Sequence, residues 1–121
     1  PRTVFNMAVT LKSTQELFGG FRISKVSEVE GSIGYKFAKW HWGKGYATEA
    51  ARAVVDFGFN VLSLHRVYAT VHPENAASIR VLEKVGMVLE GRLRENMIYD
   101  GKHCDTLIYA VLEQEWKTPN R

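Results

Sequence analysis

In this 121-residue chain, the segment Trp42-Gly43-Lys44-Gly45-Tyr46-Ala47-Thr48-Glu49-Ala50 has the composition of a ligand-binding loop. Two glycines two apart let backbone amides approach a ligand that side chains would hold off. A helix opening at Tyr46 aims its unpaired N–H groups, and the positive end of its dipole, at the same place. Together these features make an anion site suited to a pyrophosphate. Each charge-assisted amide contact contributes about 1.5–3 kcal/mol, so a handful would hold a nucleotide-like ligand, with Lys44 adding a screened charge. On these residues alone a plain tight turn stays open as the other reading. A Walker loop is excluded, because Lys44 lies between the glycines and Tyr46, not Ser or Thr, follows the second. A dinucleotide fingerprint is excluded as well: it wants a third glycine where Thr48 stands and an acid about 20 residues on, and Glu74 is too far.

The elements around this loop follow from hydrophobic period. Phe5 to Leu11 and Leu17 to Val26 read as strands joined by the polar turn Lys12 to Glu16. A turn at Ser27 to Glu30 leads to a third strand, Gly31–Lys39, completing an antiparallel meander. From Tyr46 the apolar residues Ala47, Ala50, Ala51, Val54, Val55, Gly58 and Phe59 keep the 3-and-4 spacing of a helix face, which ends over Asn60 to Leu64. Arg66–Val71 is short and β-branched, as a buried strand should be. Pro73 stops it, and Asn75 is the N-cap of a second helix, Ala76 to Val85, with Ile79, Leu82 and Val85 inward and Gly86 at its C-terminal cap. Met87–Ile98 and His103–Leu112 are strand-like around Asp100-Gly101, a strong hairpin signal. The polar tail is expected to fray from Glu113. The order β-β-β-α-β-α-β-β gives a mixed sheet with helices packed on it and a parallel or diverging strand pair in its middle.

Composition narrows the classes. A length of 121 residues bounds the chain to one domain, residues 1–121, and 45% hydrophobic content argues against disorder. Sixteen Lys and Arg against thirteen Asp and Glu give a net charge of +3. The charges are scattered, with Arg92 and Arg94 flanked by Glu90 and Glu95, so no polycationic patch recommends a nucleic-acid partner. One cysteine, Cys104, excludes an internal disulfide and a Cys-based zinc site, and fits a reducing, cytoplasmic setting. His41, His65, His72 and His103 lack ligand spacing, so no metal is expected. No apolar run reaches the ~18 residues of a membrane span, and no signal-peptide pattern follows Pro1.

A second segment, Asn75-Ala76-Ala77-Ser78-Ile79-Arg80-Val81-Leu82-Glu83-Lys84-Val85-Gly86, follows the strand after the glycine loop. The two segments, in this order and spacing, closely resemble the GNAT superfamily of N-acetyltransferases, and the closest branch is similar to the ribosomal-protein N-terminal acetyltransferases. The resemblance runs over roughly Phe5 to Trp116. It implies an α+β fold with a mixed, mostly antiparallel sheet, splayed central strands and flanking helices. It also implies acetyl-coenzyme A as co-substrate and direct transfer of its acetyl group to a primary amine.

Site residues carried over from the family are implied by the same match. The amides of Trp42, Gly43, Lys44, Gly45, Tyr46 and Ala47 correspond to the pyrophosphate cradle. The strands Gly31–Lys39 and Arg66–Val71 correspond to the pair that splays to admit the pantetheine arm. A backbone N–H near Phe37 or Ala38 then polarises the thioester carbonyl, a role that needs no special side chain. Asn75 caps its helix and hydrogen-bonds the pantetheine. The tyrosine that many members use to protonate the departing thiolate is Leu82 here; Ser78, one turn earlier, is the substitute, or else a first-turn serine capping its own backbone. Trp40 replaces the Arg or Gln that many members carry before the first glycine, and Ser32 stands where relatives often have glutamate. Arg80 and Lys84 either reach the outer phosphate or stay solvated. For a general base, some relatives carry a carboxylate where Met97 stands; Glu95, two residues earlier and on the same face by strand alternation, is the candidate, against a solvated strand glutamate.

The family's domain usually begins with a strand and one or two helices that precede the match. With Pro1 standing just before the second family strand, the sequence implies an N-terminally short domain, either a fragment or one whose missing wall a second subunit supplies as a homodimer. An α-amine of pKa ~7.7–8.0 is neutral to roughly a tenth at pH 7, a lysine near 10.4 in only about 0.04%. A site without an evident base therefore favours a peptide α-amine or another low-pKa amine as acceptor. The other readings are a polyamine or aminoglycoside acetyltransferase, a non-catalytic acyl-coenzyme A-binding module and, on pI alone, a nucleic-acid-binding domain.

Overall fold

A computed structural model of the chain describes residues 4–10, 17–37 and 45–116. Strands β1 (Val4–Thr10), β2 (Leu17–Lys25) and β3 (Glu30–Phe37) are followed by helix α1 (Tyr46–Asn60), β4 (Arg66–Val71), helix α2 (Ala76–Val85), β5 (Val88–Tyr99), β6 (Lys102–Leu112) and the short helix α3 (Glu113–Trp116). The described strands form a six-stranded sheet in the order β1-β2-β3-β4-β6-β5. All neighbours pair antiparallel except β3 and β4, which run parallel. The fold is the α+β arrangement with a mixed, mostly antiparallel sheet that the sequence implies.

Local chemistry sets the turns. Between β2 and β3, the Ser27 hydroxyl accepts from the N–H groups of Val29 and Glu30 at 3.3 and 3.2 Å. Between β5 and β6, Asp100 and Gly101 both take positive φ, 53° and 75°. Two consecutive left-handed residues make the type I′ turn whose twist matches the flanking strands. Helix α2 starts where Asn75 Oδ1 accepts the Ser78 N–H at 3.1 Å and stops at Gly86, φ 106°. Arg52 on α1 donates to the Lys84 carbonyl at 3.0 Å and so ties the two helices at that end.

Helix α1 buries Ala47, Ala51, Val54, Val55, Gly58 and Phe59 against the sheet, most of the stripe read from the sequence, together with Thr48. At Gly58 a Cβ would stand 2.8 Å from Ile23 Cδ1, so the missing side chain is what lets helix and sheet close up. Ile23, Val55, Phe59, Leu64, Val67, Leu82 and Val111 form the fully enclosed centre.

One expectation is corrected. The sequence has the tail fray from Glu113, but Glu113–Trp116 forms α3. The Glu113 N–H donates to the His65 carbonyl at 2.8 Å, and Glu115 Oε1 accepts the Leu112 N–H at 2.8 Å. The Trp116 indole donates to Asp56 at 3.1 Å while its ring lies 6.0 Å from that of Phe59. Polarity counted along the chain misses this anchor, because the partners sit on α1 and before β4.

Candidate active site

The parallel pair β3–β4 is held at one end only. The Val29 carbonyl accepts from both His65 and Arg66, at 2.8 and 3.0 Å, and the Arg66 guanidinium bridges Glu30 and Glu90 and lies over the Tyr68 ring. Register then runs Glu30 to Arg66, Gly31 to Val67 and Ser32 to Tyr68, where it ends. Strand β3 continues to Phe37 on the β2 side, and β4 continues to Val71 on the β6 side. Beyond Ser32 and Tyr68 the two strands diverge, and the main-chain edges that face each other are left without a ladder partner among the described residues. Unpaired main-chain donors and acceptors inside a fold call for a ligand or water. This is the splay that the sequence implies, and Phe37, at the end of β3, stands beside it.

Helix α1 begins at Gly45, whose φ of 83° no β-carbon-bearing residue adopts cheaply, and no side chain caps it. Its first-turn amides, with Tyr46 half-buried and Ala47 buried, therefore keep the anion-binding character argued above. Trp42, Gly43 and Lys44, the rest of the expected cradle, lie outside the described residues, as do Ala38, expected beside the thioester carbonyl, and Trp40 and His41.

Asn75 and Ser78 come together at the start of α2. Asn75 caps the helix as expected, and Ser78 is buried in its first turn at 8% exposure. Leu82, one turn on, is fully enclosed, so the slot of the family tyrosine belongs to the core here. Arg80 and Lys84 are exposed on the outer face of α2.

Asn75 also lines an open cleft of about 510 Å³ with Thr70, Val71, His72, Glu74, Met97, Tyr99 and Thr106. Thr106 is buried; its hydroxyl donates to Asn96 Oδ1 at 2.7 Å and lies 3.3 Å from Met97 Sδ. The His72 and Tyr99 rings stand 5.8 Å apart. Sequence reasoning set His72 aside as one of four scattered histidines and did not single out Thr106. Its place directly before Pro73-Glu74-Asn75 is the signal that could have drawn His72 in.

The placement of Glu95 is corrected. Alternation puts it on the face of Met97, but Leu93 pairs with Thr106 and Met97 with Cys104, so four steps on β5 oppose two on β6. Glu95 sits inside this bulge at φ 50°, exposed, and is not among the residues lining the cleft. The cause lies across the ladder: Asp105 Oδ1 accepts the Glu95 N–H at 2.7 Å, and Oδ2 accepts Arg92 Nε at 2.6 Å. These two bonds, the backbone one first, hold the Asp105 carboxyl below its ordinary pKa. Bulges are common beside functional sites, and Met97 and Tyr99, which line the cleft, follow this one along β5. Among the described residues no group of three or more His, Cys, Asp or Glu is placed to hold a metal ion, and no helix is long and apolar enough to cross a membrane.

Comparison with known proteins agrees with this geometry. The family model for the acetyltransferase (GNAT) domain matches residues 1–88. An uncharacterized N-acetyltransferase of Bacillus licheniformis is 35% identical over 111 residues, 90% of this chain and 62% of the relative. The spermidine N(1)-acetyltransferase of Escherichia coli (strain K12) is 32% identical over 83 residues, 65% of this chain and 45% of that enzyme. A crystal structure of a GNAT-family acetyltransferase from Bacillus anthracis superposes with a TM-score of 0.85 at 39% identity, covering 91% of this chain and 67% of that one. The six-stranded, mostly antiparallel sheet, with its one parallel pair and its helices, has the fold of the GNAT acetyltransferases. The chain belongs to the GNAT acetyltransferase family. It spans about half to three-fifths of the length of the curated relatives it matches.

Proposed function

We propose that the protein is an N-acetyltransferase that moves the acetyl group of acetyl-coenzyme A to a primary amine by direct attack. The observation that carries this reading is the divergence of β3 and β4 after Ser32 and Tyr68, next to the uncapped start of α1. The open main-chain edge of β3 up to Phe37 receives the pantetheine arm as an added strand would be received, and the N–H of Phe37 or of Ala38 polarises the thioester carbonyl. The amides from Trp42 to Ala47 hold the pyrophosphate, with Gly43 and Gly45 keeping side chains out of its way. Asn75, already fixed as a helix cap, turns the rest of its amide to the pantetheine. Ser78, buried at the base of α2, donates the proton that the leaving thiolate takes up.

The acceptor enters through the cleft between β4, β5 and β6. Met97 and Tyr99 give it an apolar wall, while Glu74 supplies the carboxylate and Thr106 the hydroxyl oxygen that an incoming ammonium can meet. Such a cleft suits an amine at the end of a peptide, and an α-amine sheds its proton to water readily enough near neutral pH. The relative named as a spermidine N(1)-acetyltransferase supports a second reading, transfer to a polyamine. A homodimer is the expected assembly, since β5 is the outer strand and exposes Val88, Leu89, Ile98 and Tyr99; a monomer of the full-length protein at high concentration in the ultracentrifuge would remove it.

Thiol release from acetyl-coenzyme A is the test, run with peptide α-amines, polyamines and aminoglycosides. Turnover with at least one amine class is expected. Protection against melting by acetyl-coenzyme A with no turnover on any amine would replace the enzyme with a non-catalytic acyl-coenzyme A-binding module.

A further inference from the structure

The link from β4 to α2 is closed by three successive hydrogen bonds. The His72 carbonyl accepts the Asn75 N–H at 3.0 Å, making a turn with Pro73 at its second position. The His72 ring accepts the Glu74 N–H at Nδ1, also at 3.0 Å. Asn75 Oδ1 then accepts the Ser78 N–H at 3.1 Å. A side-chain acceptor reaching the N–H two residues on is the pattern by which Asn and Asp fasten tight turns. Here an imidazole does it, packed against the Tyr99 ring at 5.8 Å.

The choice of imidazole has a consequence. A neutral ring that accepts at Nδ1 carries its proton on Nε2, so in this geometry His72 has no free nitrogen with which to act as a base toward the cleft. A second proton would go onto Nδ1 and set two donors, Nδ1–H and the Glu74 N–H, against each other. The titratable groups lining the cleft with His72 are Glu74, from the turn itself, and Tyr99, from β5.

We infer that His72 is a positioning residue: neutral, it fixes the turn that presents Asn75 to acetyl-coenzyme A, and its protonation releases that turn. The inference rests on the acetyltransferase reading and deepens it, because it makes cofactor affinity depend on the charge of one side chain. Asn at position 72 offers an oxygen where Nδ1 stands and never protonates in the working range, whereas Leu offers no acceptor.

The test measures the dissociation constant for acetyl-coenzyme A on the full-length wild type, H72N and H72L between about pH 8 and about pH 5, the span over which histidine ordinarily titrates. Comparison across variants cancels the titration of the ligand's own phosphate. Near pH 8, H72N is expected to match the wild type and H72L to bind about five- to tenfold more weakly, the worth of one hydrogen bond. Toward pH 5 the wild type is expected to fall to the level of H72L while H72N holds its advantage. In parallel, the Glu74 amide resonance of ligand-free protein should follow the His72 ring through its titration. Wild-type affinity in H72L near pH 8, an H72N profile that parallels the wild type, or a Glu74 amide that ignores the His72 titration overturns the positioning role alone. Absence of acetyl-coenzyme A binding by the wild type, with the Glu74 amide still tracking His72, overturns the cofactor reading and with it this use of the turn.

Discussion

Ser32 and Tyr68 are the last residues that join β3 to β4, two positions from where the ladder begins. The end that stays closed is the one fastened by Val29 and by Arg66 between Glu30 and Glu90. Burial works against the charge on Arg66, but the two carboxylates outweigh it and raise its pKa, so the fastening stays charged throughout the working range.

Replacement of Ser78 by Ala is expected to lower kcat by about a hundredfold, at the lower end of what a positioned proton donor contributes. KM for acetyl-coenzyme A should change little, because Asn75 and the α1 amides remain. Steady-state thiol release separates the two parameters. An unchanged kcat would return Ser78 to a purely structural role.

Among the described residues nothing stands within 4 Å of a Cβ built at Gly45, so what a new side chain meets there is backbone strain. Ala forced to φ 83° costs about 1–2 kcal/mol, whereas Asn visits that region more readily. Gly45→Ala should therefore weaken acetyl-coenzyme A binding more than Gly45→Asn, by up to about tenfold, in a calorimetric titration.

Asp105 clamps the β5 bulge and is held below its ordinary pKa by the Glu95 N–H and by Arg92. A depressed carboxylate stabilises the fold above its unfolded pKa of about 3.9, and this contribution is lost as pH falls through the lower, folded value. In denaturant titrations the gap in stability between wild type and Asp105→Asn is expected to be constant above about pH 5 and to close in more acidic solution. The same variant should raise KM for the acceptor, since Met97 and Tyr99 line the cleft just beyond the bulge.

Tyr109 shows the opposite sign. Its burial first, and the charge and hydrogen bond of Glu83 after it, raise the phenol pKa above about 10. The neutral ring therefore stabilises the fold below the unfolded pKa, and this is lost as pH rises through the folded one. Thermal melts of Tyr109→Phe are expected to show a flatter alkaline limb than the wild type.

Much of this was legible in the residues. The α1 stripe from Ala47 to Phe59, the caps at Asn75 and Gly86 and the turn at Asp100-Gly101 are set by neighbours within about four positions, and such signals read directly from sequence. A parallel or diverging pair was legible in the order of the elements, but which strands splay came only through the two motifs taken together, since neither strand's composition says where pairing stops. The bulge was hidden because Asp105, which causes it, lies across the ladder from Glu95, and strand alternation then placed Glu95 on the wrong face. Helix α3 was hidden for a like reason: its anchors, His65, Asp56 and Phe59, are remote in the chain. His72 looked scattered because its partner is a main-chain N–H, which no side-chain pattern records.

Amide hydrogen exchange of the full-length protein, with and without saturating acetyl-coenzyme A, tests the central claim most directly. The account expects slowed exchange in two places at once, along residues 33–37 of β3 and over residues 43–47, which run from the first glycine of the loop segment into α1, with the far strands unchanged. Exchange that stays the same in both stretches, in folded protein, would contradict it.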